Sequence, residues 1–168
     1  MRKMLLLLSG IYLAGCAETL PPMAPSSVPM KKANAIIIRT DQSPEEAYKG
    51  FANHLTDNGM MLKRSDPILM IMNTEVKDLP VIYMGKYAIQ ASVREDTDGT
   101  FIKMRGFLFT QAYKTTALGM LTLTEDYSDT DPVMNIKGLT SPHQKSWEEM
   151  IEIASVYPHN TGILYSRE

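Results

Sequence analysis

The chain has one cysteine in 168 residues, which excludes a disulfide framework and a cysteine-based zinc site. Charge of one sign is also scarce: 17 Lys and Arg against 19 Asp and Glu leave a net charge of -2, which argues against an electrostatically driven nucleic-acid binder. No G-x-S-x-G elbow, phosphate loop or H-E-x-x-H occurs, so the common hydrolase, nucleotide-binding and metalloprotease signatures are missing. The three histidines, His54, His143 and His159, lie far apart, and none has a second His or Cys at metal-ligand spacing. Asp126, Asp129 and Asp131 lack the spacing, glycine and distal glutamate of a calcium loop. No catalytic residue, metal or cofactor is expected.

The longest apolar stretch, Met4 to Tyr12, is interrupted by Ser9 and Gly10 and is too short to span about 30 Å of hydrocarbon. Preceded by Arg2 and Lys3, it reads as a signal peptide over residues 1–15. It ends in Leu13-Ala14-Gly15-Cys16, a large aliphatic residue, two small ones and the lone cysteine. In these residues the chain resembles a bacterial lipoprotein precursor. The resemblance implies cleavage before Cys16, acylation of its thiol and amine, and attachment to a membrane by the acyl chains, since two or three chains anchor durably where one is marginal. Because Ala17 rather than Asp follows the cysteine, the resemblance points, for a Gram-negative organism, to the periplasmic face of the outer membrane. Removal of Arg2 and Lys3 leaves 15 basic against 19 acidic residues, so no nucleic-acid partner is expected.

Residues 16–32 contain Pro21, Pro22, Pro25 and Pro29 and read as an extended tether. The remaining residues, 33–168, are sufficient for one globular domain. Ile36-Ile37-Ile38 marks a central strand. Ser43-Pro44-Glu45-Glu46 begins a helix with a capping box; Ala47, Tyr48, Phe51, Ala52 and Leu55 form its apolar face, and Asn58-Gly59 stops it. Gly50 within that helix is read as room for close packing on the sheet. Met60–Ser65 and Ile68–Thr74 read as strands around a turn at Asp66-Pro67, the second buried on both faces.

Tyr87, Ile89, Ala91 and Val93 alternate with Gln90, Ser92 and Arg94, and Asp98-Gly99 turns the chain back into Ile102, Met104 and Leu108, which predicts a long hairpin. Residues 110–140 suggest one further strand and a surface excursion. Ser141-Pro142-His143-Gln144 caps a second helix with the stripe Trp147, Met150, Ile151 and Ala154, which closes the domain.

The pattern predicts an α+β fold: a curved antiparallel sheet of five to six strands with two helices on one face, in the order strand, helix, strands, helix. In element order it is similar to helix-grip and TBP-like modules. Phe101 and Phe107 fall on the face opposite Ile102 and Met104 and are the candidate partner surface. The expected function is therefore non-enzymatic: a lipoprotein whose domain binds a protein partner in envelope assembly, secretion or maintenance. The alternative is a small apolar ligand or lipid bound in a groove rich in the 13 methionines, five of which, Met60, Met61, Met70, Met72 and Met84, fall in or beside strands.

Overall fold

The computed structural model describes residues 23–110, 113–115, 121–123, 130–138 and 140–168. The signal segment, Cys16, and the loop residues Asp126 and Asp129 lie outside them. The chain begins with strands β1 (Met23–Ser26) and β2 (Ala35–Thr40), then helix α1 (Pro44–Asp57) and strands β3 (Leu62–Asp66), β4 (Ile71–Thr74) and β5 (Lys77–Asp78). A short 3-10 turn, Val81–Tyr83, leads into β6 (Gly85–Asp96) and β7 (Gly99–Thr110). Then come β8 (Tyr113–Thr115), β9 (Leu121–Leu123), β10 (Thr130–Pro132), helix α2 (Pro142–Ser155) and β11 (Asn160–Arg167).

The fold is α+β, an open antiparallel sheet of nine strands with two helices packed against it. Its order is β1-β11-β2-β7-β6-β4-β3, while β8 and β9 pair separately. The β6–β7 hairpin is the spine, in register from Gly85↔Thr110 to Asp96↔Gly99. Each spine strand is long enough to be flanked by two shorter strands in line. On β7, β2 pairs along Thr100 to Arg105 and β10 along Phe107 to Phe109. On β6, β4 pairs along Gln90 to Ser92 and β5 along Lys86 to Tyr87. The turn forms one residue earlier than the Asp98-Gly99 signal, over Thr97 and Asp98: Gly99 takes φ +109° as it enters β7, and Asp98 N–H donates to Asp96 Oδ1 at 2.9 Å.

One sheet face is apolar. Ile36, Ile38, Met72, Tyr87, Ile89, Ala91, Ile102, Met104 and Leu108 join Phe51 and Leu55 of α1 and Trp147, Met150 and Ala154 of α2 in a single core cluster. Gly106 lies in that face. A Cβ there would fall 2.6 Å from Met150 Sδ and 2.7 Å from Val133 Cγ2, so the missing side chain lets α2 and the strand-exit residue Val133 close on the sheet.

Both helices start as read. Ser43 N–H donates to Glu46 Oε2 at 3.2 Å and its hydroxyl at 2.7 Å, and Gly59 at φ +76° ends the turn after α1. At α2 half of the box is made: Ser141 Oγ accepts from Gln144 N–H, but the Gln144 side-chain Oε1 accepts from Gly138 N–H at 2.7 Å instead of from its own cap. Gly50 serves a helix-side contact, not the sheet: a Cβ there would stand 3.0 Å from the Tyr157 hydroxyl, which donates to Gln42 Oε1 at 2.6 Å.

Three further expectations are corrected. The sheet has nine strands rather than five or six, because β1, β5 and β10 are only two to four residues long and carry no periodicity to read. The domain does not close on α2, since β11 follows it and inserts between β1 and β2. Ile68-Leu69-Met70 is not a doubly buried strand but the turn between β3 and β4, with Ile68 91% and Leu69 64% exposed. The Asp66 carboxylate accepts from Ile68 N–H at 3.1 Å and Leu69 N–H at 3.0 Å, a local turn that outcompetes the apolar run. In addition, β1 lies inside the stretch read as tether and pairs with β11, with Pro25 tolerated on an edge strand.

Candidate functional site

The alternation that buries Ile102, Met104 and Leu108 turns Phe101, Lys103, Arg105, Phe107 and Phe109 of β7 to the opposite face. No helix covers that face among the described residues, and all five side chains are half-buried. Their cross-strand neighbours on β6 are Arg94 opposite Phe101, Ser92 opposite Lys103, Gln90 opposite Arg105, and Ala88 opposite Phe107. Phe101 and Phe107 thus share a face, as read from sequence, but they do not form one apolar patch: they stand six residue steps apart along the strand, about 20 Å, with Lys103 and Arg105 between.

Two depressions occupy this face. The first, about 380 Å³, is lined by Ile71, Gln90, Arg94, Phe101, Lys103 and Arg105. The second, about 520 Å³, is lined by Lys63, Arg64, Asn73, Val76, Phe107 and Phe109. Arg39 lies over the Phe101 ring at 5.3 Å and is held by Asp96 at 2.7 Å and Asp98 at 3.7 Å. Lys86 pairs with Asp78 at 3.0 Å. The Glu168 carboxylate bridges Lys103 and Arg105, one oxygen to each. Its backbone is fixed by Asn34, whose side chain accepts from Glu168 N–H at 2.9 Å and donates to Glu168 C=O at 3.0 Å. Burial pushes the Lys103 ammonium down from its ordinary pKa, and the neighbouring charges of Arg105 and Arg94 push the same way.

The cations were legible. The same period that assigns Ile102 and Met104 to the core assigns Lys103 and Arg105 to the face of Phe101 and Phe107, but a search for aromatics alone passes over them. By contrast, the exposed charges of the two helices are Glu45, Glu46, Asp57, Glu148 and Glu152 against Lys49, so the small net charge conceals an acidic excess on the helix side.

The histidines do not converge. His54 Nε2 lies 2.7 Å from the Ile153 carbonyl, and its ring packs on Phe51 and Tyr157 at 5.9 and 5.2 Å. His143 is half-buried in the first turn of α2, where burial holds its pKa down, and His159 is exposed near Asp41. No group of three His, Cys, Asp or Glu side chains among the described residues is placed to hold a metal. Met60, Met72, Met104 and Met150 fill the core at 0–1% exposure, Met61 and Met84 are exposed, and no methionine lines either depression.

A second polar cluster ties α2 to the sheet. Tyr87 hydroxyl donates to Glu149 Oε2 at 2.7 Å, and Lys77 and Lys145 reach the same carboxylate at 3.1 and 3.4 Å. Burial pushes the Glu149 carboxyl up, but the hydrogen bonds of Tyr87 and Lys77 and the charges of Lys77 and Lys145 outweigh it and hold it below the usual carboxylate range. The shared carboxylate straps α2, through Glu149 and Lys145, to β5 and β6, through Lys77 and Tyr87.

Compared with known proteins, the chain matches no family model, and no curated protein matches its sequence. No helix among the described residues is long and apolar enough to cross a membrane.

Proposed function

We propose that the protein is a non-enzymatic, lipid-anchored envelope protein whose open sheet face docks a protein partner. The observation that carries this reading is the face of β7 that no helix covers among the described residues, where Phe101, Phe107 and Phe109 stand half-buried among Arg94, Lys103 and Arg105. Aromatic and arginine side chains are what protein interfaces enrich, because they combine large apolar area with directional donors. The anchoring part rests on the signal segment and Leu13-Ala14-Gly15-Cys16, and for a Gram-negative cell Ala17 supports the periplasmic side of the outer membrane.

Crosslinking of the tagged full-length chain in cells, with Cys16→Ala as the unanchored control, tests both parts. A discrete envelope adduct with the unmodified chain that is lost from Cys16→Ala is the expected result. Equal adducts from both forms would remove the anchor from the account, and no reproducible adduct would remove the partner.

A further inference from the structure

Resting on the docking reading above, we infer that the depression between Arg94 and Arg105 recognises an extended acidic protein segment, and that Glu168 holds the place of the partner's carboxylate. Charge accounting on the open face points there. Arg39 is matched by Asp96 and Asp98, and Lys86 by Asp78. In the first depression, three cations share one side-chain carboxylate, that of Glu168 on Lys103 and Arg105, and Arg94 has no acidic partner among the described residues. Half-buried Lys103 and Arg105 thus share a single counter-charge beside the exposed, unmatched Arg94, and an incoming anion offsets that local excess of positive charge.

The chemistry favours carboxylates. The seat is already filled by a carboxylate with one oxygen on an ammonium and the other on a guanidinium, the arrangement a side chain of Asp or Glu satisfies. The walls, Ile71 and Phe101 beside the charges and Phe107 and Phe109 further along β7, add apolar contact. A chain lying along the strand reaches from Phe101 to Phe107 with about seven extended residues. The occupant is therefore a segment with acidic residues at its centre and apolar ones at its ends. The chain's net charge of -2 gives no long-range attraction for a polyanion such as nucleic acid.

Glu168 then acts as an internal competitor. Asn34 fixes its backbone, so only the side chain must swing away to admit the partner.

Fluorescence anisotropy of the purified full-length chain with a fluorescein-labelled Phe-Glu peptide of about nine residues, with Glu at its centre and Phe at both ends, tests this. The peptide is expected to bind more weakly as salt rises, and a Phe-Lys counterpart is expected not to bind. Glu168→Gln frees two cations and is expected to tighten binding about fivefold, whereas Arg105→Glu is expected to weaken it at least about tenfold. Arg94→Gln changes an exposed side chain, keeps the fold, and is expected to weaken binding about threefold. Equal binding of the two peptides, or a Glu168→Gln variant no tighter than the parent, overturns the inference. So does a single-stranded oligonucleotide of similar length that binds more tightly than the Phe-Glu peptide. Crosslinks formed from residue 107 in cells would leave the docking reading standing under any of these failures. Acidic-peptide binding without such crosslinks would instead support the carboxylate seat and overturn the docking reading.

Discussion

Gly106 is the residue on which the packing of α2 turns. Its inward position is empty because Met150 and Val133 occupy the space a side chain would take. Gly106→Ala is expected to lower stability by about 1–3 kcal/mol, read as a fall in the midpoint of urea unfolding with little change in slope. Tyr87 and Glu149 form the other sensitive pair. Because Glu149 is held below the ordinary carboxylate range when folded, its contribution is complete above that range and is lost as pH falls through the depressed value. Tyr87→Phe removes one of the donors and is expected to cost about 1–2 kcal/mol near neutral pH. The difference from the parent should shrink on acidification; a difference that grows toward low pH would contradict the role given to Glu149. On the helix side, burial and the nearby Asp41 charge push the Tyr157 hydroxyl up to about 12, so it stays a neutral donor to Gln42 throughout this range.

At the scale of elements, the β3–β4 turn separates apolar composition from burial. Ile68→Ser and Leu69→Ser together are expected to change stability by no more than about 0.5 kcal/mol, while Ile36→Ala in the central strand is expected to cost about 2–5 kcal/mol; equilibrium denaturation of the two variants checks both. These elements also show what a sequence makes legible. The β6–β7 hairpin and both helices could be read because alternation, the Asp98-Gly99 turn signal and the Ser-Pro starts act locally and agree with one another. The turn at Pro67–Met70 was obscured because a continuous apolar run has no period, and the decisive Asp66 hydrogen bonds are specific to that geometry. Strand β11 left a trace in Ile163-Leu164-Tyr165, but its place between β1 and β2 is a long-range pairing that no local pattern states. The open face is half legible: Phe101, Phe107, Arg94, Lys103 and Arg105 follow from one alternation, while Glu168 joins them through contacts with Asn34, Lys103 and Arg105 that are distant in sequence.

At the scale of the whole molecule, the domain has an acidic excess on its helical side and cationic and aromatic side chains on its open face, and the proposed function adds a lipid anchor at Cys16. If Cys16 is the anchor, metabolic labelling with a radioactive fatty acid should mark the parent chain and leave Cys16→Ala unlabelled; label retained by the variant would contradict it. If the open face docks negatively charged protein surfaces as proposed, salt should weaken that association more than it weakens the fold. The central claim is that one face, not the molecule in general, receives the partner. The most direct measurement places a photo-crosslinking side chain at position 107 on the open face or at position 152 on α2 and compares the adducts formed in cells by the full-length chain. The account predicts a discrete adduct from position 107 and none from position 152; equal adducts from both, or one from position 152 alone, would contradict it.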